Sequence, residues 1–472
     1  MTAHPITFAD PQRGQALVLG MAVAAVGAAS LVVLYNLGQT VEARSRLTHA
    51  ADAAAYSGAL IQARTLNAIA FVNRSQMAHQ VAMAHLVTLG ASAHYIDALQ
   101  SQRRRGNPPA SLIAMLFGAD AGAAYQTAQL PADAEGRLAR AFAQHDRVVH
   151  QVLETAARGI VEDLAASRDR AMRKVLAANY PALEDSEPRT ASKTPPLDLR
   201  LLTDGWPGYM ERHAATRDAG LRPATENAVA RYAFLDRRND TRRNSWMVSS
   251  RCPWFRHELR RRGSTWLGPD GRWGALDTQS YHALRSNRWV GCYFREYAMG
   301  WGTVQGEKSR APDDVEFVEE PPPDFSQEDF WRWVEQSTSW DIFEGATNPM
   351  ANSYAMASAR RWPGGGLPAY REVAPKRVSE PLRFAIAVNQ QSAVLKTTDA
   401  DSAVRAPTGR FRYAALGETG AVFVSSAAET YFSRPQARAD GRQELGTLFR
   451  PYWQARLSAV TPQEAVLARR LP

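Results

Sequence analysis

Residues Ala16–Leu37 read ALVLGMAVAAVGAASLVVLYNL and contain no charged side chain. As an α-helix these 22 residues extend about 33 Å, which is enough to cross the hydrocarbon core of a bilayer. Arg13 precedes the run, and Glu42 is the first charge after it. We therefore predict a membrane-spanning helix. The alternatives are a buried core helix and a cleaved secretory signal, although cleavage within the run would leave the apolar segment Leu31–Leu37 exposed.

The flanks and the small residues of this span predict its orientation and a packing surface. Positive charges lie on both sides of the span, so their distribution decides nothing. Because a short N-terminal tail is easily kept in the cytoplasm, we expect the N-terminus inside and the long C-terminal body translocated. One helix face carries small residues that would let a second transmembrane helix approach closely, and the general richness of membrane helices in glycine and alanine explains them equally well. These residues are Gly20, Ala24, Gly27 and Ala28.

Two long segments beyond the span have helical character. Residues 41–70 contain no proline and many alanines, which favours continuation of the first helix. Its predicted narrow seam for another helix comprises Leu47, Ala50, Ala54, Ser57 and Ile61. A second stretch over 133–180 ends before Pro181, and its predicted seam comprises Leu138, Phe142, His145, Val149, Val152 and Ala156. The simplest arrangement folds the second helix back along the first.

Composition divides the rest of the chain. None of the twelve tryptophans precedes Trp206, and seven lie between Trp206 and Trp301. Strand-like runs follow at Arg383–Val388, Ala393–Thr397 and Ala421–Ser425, punctuated by turn glycines, which favours an antiparallel sheet over βαβ repeats. The predicted fold class is α+β. The predicted ranges are a cytoplasmic tail at 1–15, the transmembrane helix at 16–37, an Ala-rich helical stalk or hairpin at 38–183, a linker at 184–196, an Arg/Trp-rich α+β region at 197–310, a Pro/acidic linker at 311–327 and a C-terminal α+β region at 328–472.

Catalytic and cofactor motifs are missing from the sequence. There is no phosphate-binding GxxxxGK[ST] loop, no GxGxxG, no GxSxG and no HExxH. The histidine pairs His79/His85 and His145/His150 are spaced six and five residues apart, so neither pair shares a helical face well, and His145 is better explained as a hydrogen-bonded seam residue than as a metal ligand. We therefore predict a protein that is not an enzyme and uses no cofactor or metal, with a membrane-tethered enzyme of another type as a lesser alternative.

Two cysteines, Cys252 and Cys292, exclude a dense disulfide scaffold and a four-cysteine zinc site. If the body faces an oxidising compartment, the two can form a disulfide with each other. The alternation of Val290, Cys292 and Phe294 also fits a strand face with a buried thiol at Cys292.

A net charge of +9 and a run of arginines suggest affinity for an anionic surface. Interleaved tryptophan and phenylalanine would suit an anionic envelope polymer such as peptidoglycan or, as the less favoured partner, nucleic acid. Asp236, Asp240 and Glu258 lie among the arginines and weaken both interpretations. A solvated arginine face is the plain alternative. The cluster comprises Arg237, Arg238, Arg242, Arg243, Arg251, Arg256, Arg260, Arg261 and Arg262, with Trp246, Trp254 and Phe255 between them.

The stretch from Arg13 to Ala59 resembles the TadE/TadG-like family of Flp (tight adherence) pilus assembly proteins. The resemblance is carried by Arg13, Gly14, Gln15 and Ala16 before the span, and after it by the run Arg44–Leu47, which reads RSRL, followed by Ala50, Ala51, Asp52, Ala53, Ala54 and Ala55. Thr48 stands where the family usually has glutamine. A segment with Ala428–Pro435 and Leu448–Leu457 also looks like the tail of long proteins of this kind, and could equally seal a domain.

This resemblance implies a single-pass protein of the bacterial inner membrane, with a cytoplasmic N-terminus and a periplasmic body. It implies other pilus assembly proteins as partners, contacted through the span and the helical stalk. Prepilin peptidases of such systems prefer Glu and Tyr at the fifth and sixth residues after the cleaved glycine, whereas Leu19 and Gly20 occupy those positions here. A retained TadG-like component therefore fits better than a processed pseudopilin. The DxSxS motif of a von Willebrand-type domain is missing.

Overall fold

The computed structural model describes residues 15–180, 197–213, 221–289, 291–306, 325–326, 359–374, 380–391, 395, 397–398 and 421–469. Its helices are α1 (Gln15–Arg104), α2 (Ala110–Phe117), α3 (Ala119–Thr127), α4 (Ala134–Arg147), α5 (Glu154–Asn179), α6 (Leu221–Val229) and α7 (Pro462–Arg469). A π-helical turn, Val148–Leu153, joins α4 to α5. Its strands are β1 (Leu197–Asp204), β2 (Met210–His213), β3 (Asp240–Arg243), β4 (Glu258–Leu267), β5 (Trp273–Asn287), β6 (Gly291–Gln305), β7 (Phe325–Ser326), β8 (Ala359–Arg361), β9 (Tyr370–Val373), β10 (Leu382–Gln391), β11 (Ala421–Phe432) and β12 (Trp453–Ser458). This is the predicted mixture of long helices and antiparallel sheet.

Contacts group the chain into two compact units, each built from separate stretches of sequence. Unit 1 comprises Met1–Ala68, Ile160–Glu211 and Val373–Pro472, and unit 2 comprises Ile69–Gly159 and Arg212–Glu372. This grouping differs from the consecutive ranges that composition predicts. In particular β1, predicted to belong with the Arg/Trp-rich region, pairs with β10. Composition cannot reveal a pairing between strands nearly two hundred residues apart.

Unit 1 contains a four-stranded antiparallel sheet of order β1-β10-β11-β12. Its strands β10 and β11 confirm two predicted strands, while the third, Ala393–Thr397, lies largely outside the described residues. The apolar face of β10 alternates through Phe384, Ile386 and Val388, which are all buried. This face packs against α1 and the end of α5 in one core.

Helix α5 packs back along α1 within unit 1, as predicted. Arg46 lies 4.9 Å above the Tyr180 ring, and Gly58 faces Met172 further along, so the two helices run antiparallel. The buried face of α1 is broader than the predicted seam, because it contacts both α5 and the sheet. Ser57 and Ile61 are only half-buried, and the residues that are buried instead include Ala51, Ala55, Ala59, Ala63 and Leu66.

The predicted seam of the second helix is wrong at its end. Phe142 and Val149 are buried as expected, but Val152 and Ala156 are exposed. The cause is the π-helical turn, which inserts one residue relative to α-helical periodicity and rotates everything after it. The buried face therefore continues one residue later, through Ala157 and Leu164.

Unit 2 is built on the antiparallel series β3-β4-β5-β6, with β7 and β8 both pairing parallel to β6. The second half of α1 lies across this sheet, with Ala91 and Tyr95 in its core clusters. Gly302 makes the close approach possible, because a Cβ atom there would lie 2.3 Å from the backbone nitrogen of Tyr95. The predicted linker 184–196 lies outside the described residues, as does the linker 311–327 except for Phe325 and Ser326 in β7.

Candidate functional site

The N-terminal part of α1 exposes a continuous apolar surface. Leu17 is 69% exposed and Leu34 is 62% exposed, and most of the large apolar side chains between them are similarly exposed. Within the described part of the chain, α1 is the helix whose length and apolarity suffice to cross a membrane. Monomeric soluble proteins rarely expose an apolar surface of this size.

The predicted small-residue face of the span is uncovered. A Cβ atom added at Gly20 or Gly27 would meet no heavy atom within 4 Å, and Ala24 and Ala28 are exposed. A partner helix for this face therefore stays a prediction. Arg13 and Gly14 lie outside the described residues, and Gln15 is the first residue of α1.

The base of the span is fixed by a buried amide. Asn36 is 1% exposed, and its Nδ2 atom donates to the hydroxyl of Thr398 over 2.9 Å. The backbone nitrogen of Thr398 donates in return to Oδ1 of Asn36 over 2.7 Å. This reciprocal pair satisfies both ends of a buried side chain, which would otherwise lose free energy on desolvation. The helix is thus held by the folded unit at Asn36, within the last residues of the apolar stretch.

The alanine-rich motif packs α1 onto the sheet of unit 1. Ala50, Ala51, Ala54 and Ala55 are buried, and they share one core with Phe384 and Ile386. Their methyl groups let the helix backbone come close to the strands, which larger side chains would prevent. Ala53 is half-buried.

Asp52, the polar residue of this motif, bonds to the same sheet. The hydroxyl of Ser426 on β11 donates to Oδ1 of Asp52 over 2.6 Å. Nearly two helical turns further along α1, the hydroxyl of Thr430 lies 2.9 Å from the carbonyl oxygen of Ala59. Both contacts fall on β11, so they fix the position of α1 along that strand. The motif predicted from resemblance is therefore a helix–sheet contact in this structure.

Cys252 and Cys292 are bonded to each other, with their Cα atoms 5.8 Å apart. Cys292 lies at the start of β6, and Cys252 lies in the connection between β3 and β4. The disulfide therefore joins that connection to the β5–β6 hairpin.

Most of the predicted arginine cluster is paired within unit 2. Asp277, which is fully buried, accepts from Arg238 at 3.1 Å and from Arg261 at 2.9 Å. Glu258 is also buried and accepts from Arg243 and Arg260, each at 2.7 Å. Burial alone would raise the pKa of Glu258, but the hydrogen bonds from these two guanidinium groups hold that pKa below its ordinary value. These arginines stabilise buried carboxylates instead of forming an open basic face.

Three other arginines of the cluster also have polar partners. Arg242 pairs with Asp120, Arg262 donates to Thr241, and Arg256 donates to the carbonyl oxygen of Asn244. The loop 244–257 also carries Trp246, Trp254 and Phe255, which are exposed.

His79 pairs with His145, and not with its sequence neighbour His85. The Nδ1 atoms of His79 and His145 lie 2.7 Å apart, so one ring donates a hydrogen bond to the other. Burial, and then the neighbouring His145, lower the pKa of His79. Across the described residues, no group of three histidine, cysteine, aspartate or glutamate side chains is placed to hold a metal ion.

Comparison with protein-family models, with curated proteins and with solved structures gives no match. The class to which the geometry assigns the chain is an α+β protein whose N-terminal helix is long and apolar enough to span a membrane. The TadE/TadG-like resemblance therefore rests on the sequence from Arg13 to Ala59 alone. The partners of its motif, Phe384 and Ser426, were not predicted, because they lie more than three hundred residues away and form part of an ordinary strand pattern.

Proposed function

We propose that this chain is a membrane-anchored, non-enzymatic component that assembles or anchors a Flp-type pilus. The observation that carries the proposal is the continuity of α1. An uncovered apolar segment of membrane-spanning length runs without a break into a motif-bearing segment that is built into the core of unit 1. A helix of this kind couples a membrane anchor mechanically to a folded body, which suits an assembly component.

The proposal places the span in the bacterial inner membrane, the N-terminus in the cytoplasm and the body in the periplasm. The disulfide between Cys252 and Cys292 supports the periplasmic placement, because disulfides persist in oxidising compartments and are rare in the cytosol. Other pilus assembly proteins are the proposed partners, and the face with Gly20, Ala24, Gly27 and Ala28 is the proposed contact for a second transmembrane helix.

Genetic replacement of the span tests the anchoring role. Deleting the gene should abolish surface pili, and the full chain should restore them. A version whose residues 1–35 are replaced by a cleavable secretory signal, which keeps the buried contact of Asn36, should be exported but should not restore piliation. A version carrying an unrelated transmembrane helix should restore it if anchoring alone is required, and should fail if the small-residue face binds a partner. Normal piliation in the deletion strain would contradict the proposal.

N-terminal sequencing of the mature protein tests retention of the span in its unprocessed form. Since Leu19 and Gly20 occupy the positions at which the peptidase prefers Glu and Tyr, we expect no cleavage after Gly14. A mature protein that begins at Gln15 would show processing and favour a pseudopilin-like subunit.

Binding of peptidoglycan or another anionic polymer is the second proposal. The pairing of Arg238, Arg261, Arg243 and Arg260 with buried carboxylates weakens it, because these charges are already compensated. What favours it is the exposed loop 244–257. Salt-dependent pelleting with purified cell-wall material separates the two proposals, since a pure assembly component should stay in solution.

A further inference from the structure

Unit 2 carries a cluster of exposed aromatic and apolar side chains at the end of its β5–β6 hairpin. We call this cluster the aromatic tip. Trp254 is 92% exposed and Trp289 is 75% exposed, which is far outside the usual environment of tryptophan. The tip comprises Trp246, Met247, Trp254, Phe255 and Trp289.

The aromatic tip is held in place by covalent and noncovalent contacts. Cys252 lies two residues before Trp254, and its disulfide with Cys292 joins the loop to the start of β6. The side chain of Asn244 donates to the carbonyl oxygen of Trp246, and the backbone nitrogen of Phe255 donates to the carbonyl oxygen of Cys252 over 3.1 Å. The rings of Phe255 and Phe294 contact at 5.9 Å between centroids. A surface ordered beforehand loses little conformational entropy on binding.

The two segments that form the tip carry charge of a single sign. Residues 244–257 and 284–295 contain no aspartate or glutamate, and their five arginines are Arg251, Arg256, Arg285, Arg288 and Arg295. The carboxylates that follow each segment are buried and paired, Glu258 with Arg243 and Arg260, and Glu296 with His282 at 2.8 Å. The tip therefore presents apolar rings bordered by the exposed arginines Arg251, Arg256 and Arg288.

We propose that the aromatic tip docks onto an anionic phospholipid surface. Tryptophan favours the boundary between headgroups and acyl chains, where its ring is buried and its N–H group stays hydrated. Arginines at the border attract lipid phosphates, each near-surface cation strengthening binding about fivefold. A hydrated polysaccharide would pair with the arginines but offers little apolar surface to cover Met247 and Phe255. The proposal is independent of the pilus function.

The experiment uses the full chain, held in phosphatidylcholine nanodiscs so that the apolar segment of α1 is already occupied. Sucrose-loaded vesicles are added and pelleted. We expect binding to vesicles of phosphatidylcholine and phosphatidylglycerol in equal parts to exceed binding to pure phosphatidylcholine vesicles by about tenfold or more. Trp254→Gln with Trp289→Gln should reduce that binding about tenfold, and Arg288→Gln should reduce it about fivefold.

The matched control exchanges two exposed apolar residues on helices of unit 2, Leu89→Gln with Val152→Gln, and should bind as the unchanged protein does. Thermal unfolding of every variant under non-reducing conditions checks that the fold is intact. Equal binding by the tryptophan variant and the control would overturn the proposal. A second result would also overturn it. If a soluble anionic polysaccharide displaces the protein from the vesicles, and binds the protein equally well without Trp254 and Trp289, the partner is a polymer.

Discussion

A glycine decides how closely α1 approaches its neighbours in unit 1. At Gly58 an added Cβ atom would lie 2.7 Å from Cζ of Phe384 and 3.0 Å from Sδ of Met172. Met172 is flexible, but the Phe384 ring is fully buried and has no room to move. The alanines of the motif and this glycine therefore act together, and the position needs a side chain of no volume.

We predict that Gly58→Leu lowers the free energy of unfolding by about 2 kcal/mol or more, because overpacking outweighs the gain in helix propensity. Gly159→Leu is the control, since it lies in α5 and an added Cβ atom would meet nothing within 4 Å. That change should be neutral or stabilise by up to about 1 kcal/mol. Urea unfolding of the two variants measures the difference, and equal stabilities would show that the α1–sheet contact yields easily.

His257 makes the stability of unit 2 depend on pH. Its ring is buried, its Nδ1 atom accepts a hydrogen bond from the backbone nitrogen of Leu284 over 2.8 Å, and burial lowers its pKa to about 4. In the unfolded chain this pKa is about 6.5, so between these values the unfolded state binds more protons than the folded state. Stability is therefore lost as pH falls from about 6.5 to about 4, by about 3 kcal/mol for this residue.

The variant His257→Asn keeps an acceptor near the Nδ1 position and does not titrate. We predict that its loss of stability between neutral pH and pH about 4 is smaller than that of the unchanged protein by about 3 kcal/mol. Both proteins keep His79 and His94, whose pKa values are also lowered, so only the difference between the two curves reports on His257. Parallel curves would show that the pKa of His257 is the same in the folded and unfolded states and would contradict the prediction.

At the level of elements, the sequence predicts the two long helical segments better than the faces that they bury. Helix propensity and Pro181 correctly predict helical structure over 133–180, and the alternation of Phe384, Ile386 and Val388 predicts β10. The π-helical turn is not visible in the sequence, because residues 148–153 have no composition that distinguishes a π from an α turn. The error at Val152 and Ala156 follows directly from that one inserted residue.

The candidate site, too, could be predicted from the sequence only in part. Ala16–Leu37 could be recognised as a possible span from apolarity alone, and the alanine run after it from its resemblance. The partners of that run could not, because strand β11 carries Ser426 and Thr430 and is brought to α1 only by tertiary folding. Likewise, the spacing of the arginines suggested an open basic surface, whereas Asp277 and Glu258 compensate four of them inside the unit.

The π-helical turn gives a test at this scale. Deleting Val152, which is exposed within the turn, should convert it to an α turn and leave the flanking faces in place. We predict a loss of no more than about 1 kcal/mol in the free energy of unfolding. Deleting the exposed residue Lys174 is the control. It rotates one side of the helix by about 100° and displaces buried residues such as Met172 or Leu176, at a cost of about 3 kcal/mol or more.

Chemical denaturation of the two deletions provides the comparison. If the Val152 deletion is as damaging as the Lys174 deletion, the turn is a required part of the packing and not an inserted residue that the helix absorbs.

For the whole molecule, the compartment of the body is the question on which the proposed function depends, and the two cysteines report on it. The chain holds only Cys252 and Cys292, and they are bonded to each other. We predict that a maleimide mass tag, added to cells denatured without reductant, leaves the intact protein unlabelled, and that prior reduction allows both cysteines to be labelled. The physical reason is that a periplasmic body would keep the disulfide, whereas a cytosolic body would be reduced.

Two controls make the result decisive. Cys252→Ala leaves Cys292 without its partner, so this variant should take up one tag without reduction and prove that the site can be labelled. A chain that lacks residues 1–37 should stay in the cytosol and take up a tag at each cysteine without reduction. If the intact protein behaves like that shortened chain, the body lies in a reducing compartment. The orientation proposed for the span would then be reversed, and the body could not meet a pilus on the periplasmic side.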